Sequence, residues 1–335
     1  MIKRFFRFAL KNSIFRKNNK LRVIFMGSPN ASVPFLQRLI RNENVIAVFT
    51  APDLPAGRHM KIRQTAVKAT ALENDLMIFQ PNSLKDEKIE KQIRRLSPDI
   101  IIVVAYGHKI PDSILDIPRY KSINIHFSLL PKYRGAAPIQ WALVNGEKET
   151  GVTSFYLCNR MDAGDIIYQE KMQINDSDNS EKLLEKLLKL GFGVLDKTLD
   201  LIREQKVEAI KQDNSQATLA PKMKKKDGQI DWGMTSQEIL NRMKAFHPWP
   251  GSYTYLTGAE KSYMVKLFQP KIRYIEEEGN LPGEVLAISK TRGLLLKCGH
   301  GALWIKKAQM EGHKVVTGYE FFVGRKIQKG DIFES

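Results

Sequence analysis

Cysteine is almost absent from this sequence: Cys158 and Cys298 are the only two. A pair so placed excludes a disulfide framework and suits a reducing compartment. Neither has a base beside it in sequence, so both read as structural thiols rather than nucleophiles. Long apolar runs are also missing, and no stretch approaches the roughly 18 residues of a membrane span. The chain opens as strand, glycine turn, helix and strand in LRVIFMGSPN, ASVPFLQRLIRN and VIAVFT, yet the turn lacks the G-x-G-x-x-G fingerprint. A dinucleotide cofactor is therefore not expected, and Gly27 and Pro29 serve the turn itself. His108 and His126 lack the partner spacing of metal ligands, so no metal site is expected. Acidic residues are missing from positions 1–20, which carry seven of the basic ones.

A length of 335 residues allows two domains with ample core. Composition is that of a soluble globular protein. The net charge of +17 is uneven: +7 falls in residues 1–20, +7 in 219–335 and +3 between them. A polyanion touching the C-terminal part would explain this, because Lys and Arg neutralise phosphates and release counterions. Residues 1–20 form a basic, aromatic extension that suits either a targeting presequence or a disordered arm. The compartment is then cytoplasmic in a bacterium, or an organelle matrix if the extension is a presequence.

Strand-like and helical stretches alternate as far as Phe127. DIIIVVAYG is a continuous apolar run, the mark of a central strand buried on both faces. The alternation predicts an α/β domain with an open, mostly parallel sheet, whose ligands bind beyond the carboxyl ends of the strands. APDLPAGRHMKIR at 51–63 reads as a Pro/Gly-broken basic loop with Arg58, Lys61 and Arg63. GVTSFYLC and DIIYQEKMQI are strand-like. Leu183, Leu184, Leu187, Leu188, Leu195, Leu199 and Ile202 recur at helical spacing as a packing stripe. QDNSQATLAPKMKKKDG is polar and breaker-rich, and its Lys224 and Lys225 suit a nucleic-acid path. Short strands with frequent glycine turns follow and suggest a small β-barrel. The division expected is an extension at 1–20, a catalytic domain at 21–206, a linker at 207–221 and a C-terminal barrel at 222–335. Trp249 reads as a packing residue in preference to one that stacks on a base.

The stretch INIHFSLLPKYRG carries the chemistry. On a strand from Ile123 to Phe127, Asn124 and His126 lie two residues apart and point to one face. An imidazole can take the proton of an attacking amine while a carboxamide donates to the oxyanion that forms. Asp162 in the RMDAGD segment is placed to orient and charge-stabilise the imidazole. Asp165 there reads only as a turn residue.

The words NIH-SLLP-YRGAAPIQ, followed by TGVT and MDAGD, resemble the 10-formyltetrahydrofolate-dependent formyltransferases from about Leu21 to the C-terminus. Within that family the branch acting on methionyl-tRNA is the most similar. The resemblance implies a Rossmann-like catalytic domain and an OB-like C-terminal barrel. It implies transfer of formyl from 10-formyltetrahydrofolate to the α-amino group of methionyl initiator tRNA, by direct amine attack and without a covalent enzyme intermediate. Asn124, His126 and Asp162 fall on the family's catalytic trio, and Ser128, Leu129, Leu130 and Pro131 on its folate-binding segment. PAGR at 55–58 resembles the family's tRNA loop. The family suggests a monomer, and no membrane partner is expected. Two departures stand out, Leu54 where basic residues are frequent and His247 where Asn is usual. Formylation of a nucleotide sugar or glycinamide ribonucleotide, or RNA binding without catalysis, are the competing functions.

Overall fold

The computed structural model describes residues 20–56, 61–257, 262–273, 280–325 and 327–335. The expected extension therefore lies outside the described residues except for Lys20. The chain forms two compact units. One comprises residues up to 136 with 151–172 and 186–219, the other 137–150, 173–185 and 220–335.

In the first unit the strands are β1 (Arg22–Gly27), β2 (Asn44–Phe49), β3 (Leu54–Ala56), β4 (Lys61–Arg63), β5 (Ile78–Phe79), β6 (Ile100–Val104), β7 (Ser122–His126), β8 (Glu149–Tyr156) and β9 (Ile166–Gln173). The main sheet runs β5-β2-β1-β6-β7-β8-β9. Strands β5, β2, β1, β6 and β7 pair in parallel, and β8 runs antiparallel to β7. The carboxyl ends of five strands thus share one edge. Every residue of β6 is buried, as its unbroken apolar sequence requires.

Helices α1 (Val33–Asn42), α2 (Ala66–Glu73), α3 (Glu87–Leu96) and α4 (Asp112–Leu115) connect these strands. The Thr65 and Asp86 side chains cap α2 and α3 by accepting from the backbone N–H groups of Lys68 and Lys88. One face of the sheet packs Ile24, Met26, Phe49, Ile101 and Val103 against Ile93, Ile114 and Leu115. Gly27 is dictated by packing: a Cβ there would sit 2.9 Å from Ser32 Cβ and from the Val104 carbonyl. The GSPN turn is closed on the protein's own backbone, with Ser32 Oγ donating to Val104 O at 2.7 Å.

Helix α5 (Pro138–Val144) precedes β8, and α6 (Ser180–Arg203) follows β9. The leucine stripe of α6 is buried at Leu183, Leu187, Leu195, Leu199 and Ile202, while Leu184 and Leu188 are half-buried. Gly191 lets the helix approach Phe35, whose ring would lie 2.8 Å from a Cβ. Arg203 pairs with buried Glu43, which also accepts from Leu21 N–H.

The second unit contains α7 (Ser236–Ala245), β10 (Tyr253–Thr257), β11 (Ser262–Arg273), β12 (Val285–Ser289), β13 (Gly293–Lys297), β14 (Ala302–Met310), β15 (Val316–Thr317), α8 (Gly318–Arg325) and β16 (Phe333–Glu334). Its sheet runs β12-β13-β14-β11-β10-β16, antiparallel throughout, with β15 against β14. The two edges meet where Glu284 bridges Ile332, giving a curled, OB-like half-barrel. Trp232, Ile239, Val265, Leu294, Leu303, Ile305 and Phe333 fill it. Trp249 is not part of that core: its side chain is 56 % exposed. Among the described residues no helix is long and apolar enough to cross a membrane.

Candidate active site

Strand β7 alternates because its two faces differ. Ile123 and Ile125 are buried to 0 % and 2 %, and the opposite face presents Asn124 and His126. Asn124 lies opposite Val103 of β6 and Phe155 of β8, and His126 opposite Thr153. His126 is buried, and its Nε2 lies 2.9 Å from the Tyr133 carbonyl oxygen. A carbonyl only accepts, so Nε2 carries the proton and the basic nitrogen is Nδ1. Nδ1 faces Asp162 Oδ2 at 3.8 Å, too far for a hydrogen bond and within ion-pair distance once the ring is protonated. That same oxygen accepts from Gly135 N–H at 2.8 Å. Asp162 therefore ties down the loop after β7 and charges the imidazole's surroundings.

Asn124 has a buried Oδ1 without a partner. A buried amide oxygen left unpaired costs about 1–3 kcal/mol, and such a group is available to a ligand. This is the observation by which the site fits an acyl carrier: one amide and one imidazole, facing the same way at the sheet's carboxyl edge.

Two turns hold these groups in uncommon backbone conformations. Tyr133 and Asp162 have φ of 62° and 47°, in the left-handed region. Tyr133, a bulky residue, stays there because its neighbours fix it. Its N–H donates to Thr218 Oγ1 at 2.8 Å, and Arg134 N–H donates to Thr218 O at 2.9 Å. The Asp162 turn closes against β8 only because residue 164 is glycine; a Cβ there would meet Tyr156 O at 1.7 Å. Asp165 keeps the turn role read from sequence, its carbonyl accepting from Tyr156 N–H.

Ser128, Leu129, Leu130 and Pro131 form a loop pinned by Thr153. Thr153 Oγ1 donates to Ser128 O at 2.6 Å and accepts from Leu130 N–H at 3.2 Å. Gln169 Nε2 donates to the same hydroxyl and to Leu130 O. Ser128 and Leu130 are buried, with the Ser128 hydroxyl donating to Lys132 O, so Leu129 and Pro131 are the more accessible pair. Sequence reasoning passed over Thr153, Gln169, Thr218 and Gln212; only Thr153 lay in a stretch already singled out, TGVT, and its pairing opposite His126 is seen only in the structure.

Arg58 is outside the described residues, as is the side chain of Lys61. Arg63 is exposed on β4, paired antiparallel to β3 with Leu54 opposite it. Asp53, at the base of this ribbon, is held below the usual carboxylate range by Lys68 and then by Gln80. Lys224 and Lys225 are exposed in the second unit, at a short 3-10 turn where Lys224 N–H donates to Asp227. The same unit has an open depression of about 540 Å³ lined by Lys271, Arg273, Arg292, Lys306 and Trp304. No group of three potential metal ligands occurs among the described residues.

A parallel sheet carrying this trio at its carboxyl edge, followed by a small barrel, defines a class. Residues 20–199 match the Formyl transferase family and residues 222–326 its Formyl transferase, C-terminal domain, and the chain belongs to that family. Its relatives over nearly the whole length are methionyl-tRNA formyltransferases. The one from Geobacter sulfurreducens is 42 % identical over 92 % of this chain and 96 % of its own length. The one from Alkaliphilus oremlandii is 38 % identical over 93 % of this chain and 99 % of its own. Solved structures share the fold. WlaRD, a sugar 3N-formyl transferase, matches with a TM-score of 0.62 and 22 % identity, covering 88 % of this chain and 100 % of WlaRD. HypX from Aquifex aeolicus in complex with tetrahydrofolic acid matches with a TM-score of 0.60 and 17 % identity over 95 % of this chain, which spans 51 % of HypX.

Proposed function

We propose that this chain transfers the formyl group of 10-formyltetrahydrofolate to the α-amine of methionyl initiator tRNA, with Asn124, His126 and Asp162 as the working residues. The observation that carries the reading is the Asn124 amide, whose buried Oδ1 is open to an N–H donor such as the attacking amine, on the same strand face as His126, whose Nδ1 is free to take a proton. Full-length similarity to methionyl-tRNA formyltransferases supports the acceptor.

The folate supplies a formyl carbon already activated for attack and a nitrogen able to leave. The protein's residues do the rest. Asn124 Nδ2–H donates to the oxygen that gains charge when the amine adds, an interaction of a kind worth about 10²–10³ in rate, while Oδ1 accepts from the amine. His126 Nδ1 takes the amine proton, while Nε2–H remains on Tyr133 O. The imidazolium so formed lies between the Tyr133 carbonyl and the Asp162 carboxylate, both of which favour its charge. From Nδ1 the proton is returned as the carbon–nitrogen bond to the leaving group breaks. Ser128, Leu129, Leu130 and Pro131 shape the loop that would hold the carrier.

In the same reading 21–206 works as the catalytic segment and 222–335 binds tRNA. Arg58, Lys61, Arg63, Lys224 and Lys225 contact phosphates, and the cationic depression around Trp304 supports a polyanion partner. The protein acts in the cytoplasm, as its bacterial relatives support, and as a monomer in this reading.

The test is transfer of labelled formyl from 10-formyltetrahydrofolate to methionyl initiator tRNA, with an aminosugar nucleotide as competing acceptor. Formylation of the tRNA, lost in His126→Ala, is the expected result. Formylation of the sugar would replace the acceptor, and no transfer to either with tRNA binding retained would leave an RNA-binding protein.

A further inference from the structure

The stretch between the two family segments contains a residue whose side-chain polar atoms are both spent on the site. Gln212 is 5 % exposed. Its Oε1 accepts from Arg134 Nε at 3.1 Å and from Nη2 at 2.7 Å. Its Nε2 donates to the carbonyls of Asp162 at 2.9 Å and Gly164 at 2.7 Å. A guanidinium offers only donors and a carbonyl only accepts, so the amide orientation is fixed by its partners. One side chain therefore joins the loop after β7, next to the Tyr133 carbonyl that holds His126, to the backbone of the Asp162 turn.

We propose that Gln212 is a positioning residue for formyl transfer, acting through Asp162, an inference that rests on the catalytic reading above. Two features of the turn require such a clamp. Asp162 adopts a left-handed φ, which the surroundings must hold. Its carboxylate also stands 3.8 Å from Nδ1 with no hydrogen bond between them, so a small drift of the turn changes the field at the imidazole directly. Gly135 N–H anchors the carboxylate and Gln212 anchors the peptide, so each fixes what the other leaves free.

Arg134 makes the clamp stiff. This buried guanidinium also donates to Asn214 Oδ1 at 3.0 Å, and Gln212 and Asn214 are its partners in the structure. Replacing Gln212 by Glu keeps the size and strengthens the pairing with Arg134. It also turns an acceptor oxygen onto the Asp162 and Gly164 carbonyls, where a donor had been. Replacing it by Ala removes both sides. The first variant preserves folding and breaks only the Asp162 side; the second reports the whole clamp.

Four proteins would be compared in formylation of methionyl initiator tRNA: wild type, Gln212→Glu, Asp162→Asn, and the double variant. Exchange of the Gly135 amide hydrogen would be followed in each. The expected result for Gln212→Glu is a fall in kcat of about 10- to 100-fold, the size typical when an outer partner of a working group is lost. KM for folate and tRNA should stay within about twofold, because no atom of Gln212 faces a ligand. The Gly135 amide, whose acceptor is Asp162, should exchange faster than in wild type. In the Asp162→Asn background the Gln212 change should cause no further loss, since the two act as one unit. An unchanged kcat, a loss that multiplies in full with that of Asp162→Asn, or an unaltered Gly135 exchange rate would overturn the proposal. If wild type formylates no methionyl-tRNA, the functional reading fails, and amide exchange still decides whether Gln212 holds the Asp162 turn.

Discussion

The Tyr133 carbonyl stands 2.9 Å from His126 Nε2, so a backbone oxygen, and not the nearby carboxylate, fixes the tautomer of the imidazole. In many catalytic histidines a carboxylate does both jobs, orienting the ring and stabilising its charge. Here the jobs are divided between Tyr133 and Asp162.

That division separates structure from chemistry at His126. In His126→Gln the amide can still donate to Tyr133 O, so the loop should hold while the base is gone. Formyl transfer should fall by about 10²–10⁴, with the melting temperature close to wild type. His126→Ala should lose the rate and also weaken folate binding, because Tyr133 O is left without its donor. Steady-state kinetics and thermal unfolding on the two variants would check this.

Asp162→Asn should be milder than the loss of a carboxylate that sets a tautomer. Its Oδ1 can still accept from Gly135 N–H, and Tyr133 still fixes Nε2–H. What disappears is one charge at 3.8 Å from Nδ1, worth roughly 1–4 kcal/mol between aqueous and protein-like screening. The rate should fall between about fivefold and a thousandfold, with folate and tRNA affinities unchanged, as single-turnover kinetics would show.

The two thiols should behave differently. Burial pushes Cys298 up to about 12, whereas Cys158 is half-buried beside the Arg160 carbonyl. Alkylation of the native protein near pH 8 should therefore modify Cys158 and spare Cys298 until the protein is unfolded. A folded value raised above the unfolded one means that the native state holds this proton more tightly. The contribution is intact below pH ~8.5 and is lost as pH climbs towards 12. Mass spectrometry after a timed pulse of iodoacetamide reads the first point, and urea midpoints measured between pH 8 and 10.5 read the second.

Binding of tRNA should weaken steeply with salt and folate binding hardly at all, because only the first displaces counterions from a polyphosphate chain. Lys224→Ala with Lys225→Ala should weaken tRNA binding and reduce the salt slope by about two, one per phosphate contact. Filter binding across a salt series would measure both. An unchanged slope would remove these lysines from the interface.

Much of the fold is written in local sequence. The apolar runs of β1 and β6, the alternation in β7 and the stripe on α6 each follow from one periodicity, and the structure has them all. That Asn124, His126 and Asp162 come together was legible for the same reason: the first two share a strand face, and Asp162 sits in a recognisable turn. What was not legible depends on pairings distant in sequence. Thr153 grips the Ser128–Pro131 loop because β8 runs back along β7, and no local pattern announces that register. The hydrogen bond that fixes His126 comes from a main-chain carbonyl, which has no side-chain identity to read. Trp249 was misread because an aromatic residue between two prolines looks like a packing corner, whereas the structure leaves it 56 % exposed.

The two hydrogen bonds from residues 133 and 134 to Thr218, together with the grip of Gln212, bear on where the chain can be cut. A fragment ending at 206 would keep Asn124, His126, Asp162 and the whole Ser128–Pro131 loop. It would lack the strap that holds Tyr133 in its left-handed turn and Asp162 in register with it. Such a fragment would keep the Gly135–Asp162 and His126–Tyr133 contacts and lose the outer ones that brace them. A fragment meant to keep these contacts therefore has to run on through Thr218, beyond the 206 expected from the sequence.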